Sequence, residues 1–209
     1  LSSSSAASDV YKRQAQLEAL KARLAEAGRP FLLIGGSGWT AQAQAQMAAF
    51  AERFELPVGV AWRRLECFDQ RDPRFVGHVG FAMDDALRER LGHSDMLIAV
   101  GTRMGEATSE GYSWIQSPTP RQTLVHVYPD PEELGRVYHA ELAINADVVG
   151  FAAALDGLAP DTSPRWADQT RAARADYLAT LEPQPAPGPL SLDKVAASVD
   201  RRLDGQGCI

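Results

Sequence analysis

"LIAVGTRMGEATSEGY", residues 97–112, is an unbroken apolar run that stops at Gly101, sets Arg103 just beyond it and then turns polar. Continuous Leu, Ile and Val without alternation is the pattern of a parallel strand covered on both faces. Ligands of open α/β sheets collect beyond the carboxyl ends of such strands, where Arg103 would stand. The alternative is a surface arginine that caps or salt-bridges a neighbouring loop.

The segments on either side repeat the pattern. "RPFLLIGGSGW" closes a short apolar run on glycines and opens an Ala/Gln/Met stretch from Thr40 to Phe54, which reads as strand, tight turn and helix. "LPVGVAW" reads as a second strand, and residues 63–80, containing "ECFDQRDPRFVGHVG", read as one loop. A βα connection of that length is unusual and hints at function. A helix from Met83 to Leu91, the strand "DMLIAVG", an irregular stretch through Pro120 and the strand "QTLVHVYPD" follow. "ELAINADVVGFAAALDGL" reads as a last strand with its helix, and a further helix covers Arg165 to Leu181. Strands alternating with helices predict a doubly wound, mostly parallel α/β sheet with helices on both faces, of the Rossmann-like nucleotide-binding type.

The two ends differ from this body. Residues 1–13, within "LSSSSAASDVYKRQ", are serine-rich and aperiodic, and read as a disordered or foreign extension. Leu17, Leu20 and Leu24 then fall at i, i+3 and i+7 before Gly28 and Pro30, an amphipathic helix with its stop signal. The central domain therefore spans 14–181. "EPQPAPGPL", 182–190, is a proline-rich linker, and 191–209 begins a new helix behind the cap Ser191, the expected truncated start of another domain.

Composition limits the role. A formal charge of −6 and a pI near 5.2 provide no basic stripe, which argues against nucleic acid as a partner. No apolar stretch approaches the ~18 residues that span a bilayer, so no membrane partner is expected. Cys67 and Cys208 lie far apart with no C-x-x-C spacing, in keeping with a reducing, cytoplasmic setting.

Few residues suggest chemistry. The turn Gly35-Gly36-Ser37-Gly38 could present backbone N–H groups to a phosphate, although it is not G-x-G-x-x-G and glycines also serve tight turns for steric reasons. Asp130, after "HVY", stands where doubly wound folds place an acid against a ribose hydroxyl; capping a short helix at Pro131–Leu134 is the competing role. His78 and His139 read as polar surface residues, Trp62 and Cys67 as packing, and Asp84-Asp85 as a helix start. No Ser/His/Asp arrangement, metal spacing or carboxylate pair emerges, so no catalytic residue is assigned.

The ordered series "RPFLLIGGSG", "FELPVGVAW", "FDQRDPRFVGHVG", "HSDMLIAVGTR", "TLVHVYPDPEELG" and "LAINADVVGFAAAL" resembles the central domain of thiamine-diphosphate-dependent enzymes, in particular of acetolactate-synthase-type proteins. The likeness covers residues 15–158, and the tail from Leu190 resembles the opening helix of the family's third domain. It implies a parent that decarboxylates a 2-keto acid and transfers or releases the acyl unit, a homo-oligomer whose N- and C-terminal domains hold thiamine diphosphate and Mg²⁺. In acetolactate synthases the central domain carries FAD; other members bind ADP there or nothing. The family's nucleotide positions fall here on Gly35, Gly36, Gly80, Gly101, Arg103, Asp130 and Asp147. Where flavin-binding relatives read Gly-Met-His-Gly this chain has Gly80-Phe81-Ala82-Met83, and where they read Arg-Phe-Asp-Asp-Arg it has Arg103-Met104-Gly105-Glu106-Ala107. ADP or the adenosine diphosphate half of FAD suits the pattern that remains, and the flavin half does not. A free-standing adenine-nucleotide module and a scaffold for oligomer assembly are the rival readings.

Overall fold

In the computed structural model, residues 2–183, 187–188, 191–204 and 206 are described, with side chains from Gln14 onward. Six strands form one sheet: β1 (Pro30–Ile34), β2 (Val58–Ala61), β3 (Phe75–Val79), β4 (Met96–Val100), β5 (Thr123–Tyr128) and β6 (Leu142–Asn145). Their order is β3-β2-β1-β4-β5-β6 and every pairing is parallel. Leu32 of β1 registers with both Val58 of β2 and Ile98 of β4, so β1 is the central strand from which the chain first winds one way and then the other.

Seven helices complete the described chain: α1 (Ser2–Glu26), α2 (Ala41–Arg53), α3 (Asp85–His93), the single turn α4 (Glu106–Ser109), α5 (Val148–Ala154), α6 (Ala167–Thr180) and α7 (Leu192–Leu203). Successive strand residues point to opposite faces. Leu32, Ile34, Ile98, Val100, Val125 and Val127 meet Met47, Phe50 and Phe54 near α2, Phe151 of α5, and Leu20 and Leu24 of α1. Phe31, Leu33, Leu97, Ala99 and Leu124 meet Leu87 and Leu91 of α3 and Ala173 of α6. Both faces are thus dry, the reason β1 and β4 read as unbroken apolar runs.

Several boundaries differ from the sequence reading. The helix expected from Gln14 begins at Ser2; no glycine or proline stands between Ser2 and Glu26 to stop it. The stretch 63–80 is no single loop: it holds a 3₁₀ turn, Leu65–Cys67, and all of β3. The expected helix at Pro131–Leu134 is a run of turns, in which Asp130 Oδ1 accepts from the Glu132 N–H at 3.0 Å. Ser191 sits at the N-cap of α7 as expected, but its hydroxyl makes no capping bond. Most of the linker 182–190 and Cys208 lie outside the described residues.

Candidate functional site: a crevice at the sheet's switch point

Where β1 hands over to β4, the connections leave the sheet in opposite directions and a crevice opens beyond the carboxyl ends. Its volume is about 680 Å³. The floor is backbone. Gly36 has φ +75, and a Cβ there would lie 2.0 Å from the Gly101 carbonyl oxygen; a Cβ on Gly101, φ +72, would lie 2.5 Å from the Gly35 oxygen. Only glycine permits both this conformation and this approach. The sheet ladder extends into the same contact, with the Gly35 N–H donating to Val100 O at 3.0 Å and the Gly101 N–H to Val127 O at 2.9 Å.

Gly36, Gly101, Arg103 and Asp147 all line this crevice. Arg103 is exposed and, among the described residues, makes no hydrogen bond or ion pair. Asp147 is the N-cap of α5, its Oδ1 accepting from the Gly150 N–H at 2.6 Å. Gly35, Gly80 and Asp130 are not among the lining residues. Gly35 is a packing glycine, since a Cβ would meet the Ala61 Cβ at 2.6 Å. Gly80, φ +139, lets the chain pass Trp62 and the Ala107 carbonyl.

Sequence reasoning missed three contributors. Trp62, read as packing, lines the crevice with its ring edge-on to Phe81, 5.8 Å between centroids, and the Arg63 guanidinium 4.2 Å above it. Arg64, from the loop after β2, is a second cation on the wall. His126, buried in β5, donates from Nε2 to the Thr102 carbonyl at 2.9 Å and so holds the residue between Gly101 and Arg103. A carbonyl only accepts, which places the proton on Nε2; Nδ1 is buried and unpartnered in the structure. Burial pushes His126 below the ordinary histidine value, against the opposing pull of its bond to Thr102. Because β5 adjoins β4 only through the sheet order, nothing local in the sequence couples His126 to Thr102.

Of the departures from the flavin pattern that the resemblance implies, those at residues 81–83 are not among the crevice lining, whereas Gly105, Glu106 and Ala107 are. Met83 is buried in the core, and Ala82 turns through φ +62 on the exposed side of β3. Glu106, by contrast, lines the crevice and brings a carboxylate to it. Burial pushes the Cys67 thiol up to about 12, leaving it an inert packing group. Among the described residues no three His, Cys, Asp or Glu side chains gather as a metal site, and no helix is long and apolar enough to cross a membrane.

The family described as "Thiamine pyrophosphate enzyme, central domain" matches residues 17–155, from α1 to the end of α5. The chain belongs to this family. As a central domain it contains the whole sheet and both crevice walls within the match, while α6 and α7 lie beyond it. A sulfoacetaldehyde acetyltransferase of Alcaligenes xylosoxydans xylosoxydans is 29% identical over 167 residues, 80% of this chain and 28% of its own length. An acetolactate synthase large subunit of Parasynechococcus marenigrum is 31% identical over 123 residues, 59% of this chain and 19% of its own. The acetolactate synthase isozyme 2 large subunit of Escherichia coli is 26% identical over 141 residues, 68% and 25% respectively. The central domain is thus related to acetolactate synthase and spans less than a third of the relatives it matches.

Proposed function

We propose that this central domain serves a larger, homo-oligomeric, cytoplasmic thiamine-diphosphate-dependent enzyme that decarboxylates a 2-keto acid and transfers the acyl unit. Its own part is to receive the adenosine diphosphate portion of a nucleotide in the crevice. The carrying observation is the unpaired Arg103 beside a floor of Gly36 and Gly101 that no side chain obstructs.

The thiamine group, once bound, supplies the carbanion chemistry. The described residues offer no group of three His, Cys, Asp or Glu side chains for an accompanying Mg²⁺. An adenosine diphosphate does fit. Gly36 lines the crevice with its backbone packed on the Gly101 carbonyl, and the exposed Arg103 supplies a charge-assisted partner for a phosphate.

The flavin half gains no further contact from Met83, which is committed to the core, and Glu106 brings like charge to the phosphates of ADP and FAD alike. ADP and FAD should therefore bind with similar affinity. Titrating the purified protein and Arg103→Ala with each, alongside a visible spectrum, tests this. A yellow protein holding stoichiometric FAD, or equal affinity without Arg103, overturns the reading, and absence of any binding leaves the domain as scaffold.

A further inference from the structure

We infer that a pocket at the other end of the sheet, between α3 and α6, binds a small organic acid: a monocarboxylate with a compact apolar body, its charge held by Arg29. The pocket encloses about 280 Å³, close to the ~300 Å³ at which small-molecule sites begin. It opens at the amino ends of β1 and β2, whereas the crevice lies beyond the carboxyl ends, so it is independent of the nucleotide reading.

Two helix faces form its walls. Ala86, Glu89, Arg90 and His93 stand at i, i+3, i+4 and i+7 on α3, a spacing that puts all four on one side of the helix. Thr170, Ala173 and Asp176 line the pocket from α6, which lies outside residues 17–155, the stretch shared with the family. The floor is apolar and offers no free donor. Pro30 opens β1 and Pro57 stands just before β2, and neither has an N–H. Phe31, Trp166 and Ala173 are buried beside them. The polar atoms of the buried lining are already spent, the Trp166 indole N–H on the Phe54 carbonyl at 2.8 Å and the Thr170 hydroxyl on the Glu55 carbonyl at 2.7 Å. Arg90 and Asp176 satisfy each other, Nε donating to Oδ2 at 2.7 Å.

Arg29 is the exception. Its Nε–H donates to the His93 carbonyl at 2.7 Å, at the carboxyl end of α3. Capping that helix accounts for one edge of the guanidinium and leaves both Nη groups over. The two oxygens of nearby Asp95 are taken by the backbone N–H groups of Gly28 at 2.8 Å and Arg29 at 2.9 Å, and among the described residues no carboxylate pairs with the Arg29 side chain. Held at Nε, the guanidinium is already oriented, so a ligand carboxylate gains a charge-assisted contact without freezing a loose side chain. Glu89 also lines the pocket, but its side chain is 74% exposed and stands 3.9 Å from the His93 ring, where water screens it. One unpaired cation above a dry floor suits a single carboxylate on an apolar body and gives a multiply charged anion nothing more to engage.

The test is two-dimensional amide NMR of the full chain at neutral pH, titrated with cyclohexanecarboxylate, cyclohexanecarboxamide and acetate, for the parent, Arg29→Ala and Ala86→Leu, with folding checked by circular dichroism. The first probe carries both features, the carboxamide lacks the charge and acetate lacks the apolar body. One charge-assisted contact at a partly exposed site corresponds to about tenfold in affinity. Cyclohexanecarboxylate should bind about tenfold more tightly than its carboxamide, and acetate should not saturate. The shifts should gather on the Trp166 indole and on residues 86–94 and 169–176, and spare Gly36 and Gly101. Arg29→Ala should erase the preference for the acid, and Ala86→Leu, which fills the pocket from the α3 wall, should weaken acid and carboxamide together. Equal binding of the two by the parent, a preference that survives Arg29→Ala, shifts centred on the crevice, or no saturable binding overturns the inference.

Discussion

His126 couples protonation to the crevice through one hydrogen bond. Its folded pKa lies below the ordinary value of 6.5 because burial disfavours the imidazolium. The unfolded chain therefore binds this proton more readily than the native protein, and stability is fully present above pH 6.5 and declines as the pH falls below it. Urea midpoints measured on both sides of that value should show the decline, and His126→Gln, whose amide can still donate to Thr102, should flatten it. An unchanged slope in the variant would assign the pH dependence to other groups. The placement of Gly36, Gly101 and Arg103 at one strand-end crevice was legible in the sequence because strand-end glycines followed by a cation form a local pattern. Arg64 and His126 were not, since their roles depend on which strands become neighbours.

Among the elements, α5 is fixed at its start by Asp147, whose carboxylate takes the Gly150 N–H. The same residue lines the crevice, so it joins helix stability to the site. Asp147→Ala should cost about 1 kcal/mol in denaturant unfolding, and Asp147→Asn, which keeps an accepting oxygen, only a few tenths. Equal losses would place the residue's value in its charge rather than its cap. Most elements were readable from period and punctuation, but β3 was not. It is an edge strand with Gly77 at φ +121 in its middle, and its pairing with β2 shifts register between Val58 and Gly59. An edge strand broken by a glycine carries too short an apolar run to stand out from the loop before it.

Taken as one molecule, the chain is a six-stranded parallel sheet of the thiamine pyrophosphate enzyme central-domain family. The purified 209-residue protein, given thiamine diphosphate, Mg²⁺ and pyruvate, should release no carbon dioxide and form no acetolactate; turnover above background would overturn the division of labour proposed here. The fold class was legible because every central strand is dry on both faces, whereas the start of α1 was missed because its serine-rich opening lacks an apolar period although it holds no helix breaker. The paired glycine floor has a further consequence for how the protein is made. Gly36 precedes Gly101 by two strands, yet the surface it completes requires Gly101, which is in turn anchored to Val127. A nascent chain that has released only β1, β2 and β3 has half of a floor and no crevice. The crevice floor is complete only with β4 beside β1 and β5 beside β4.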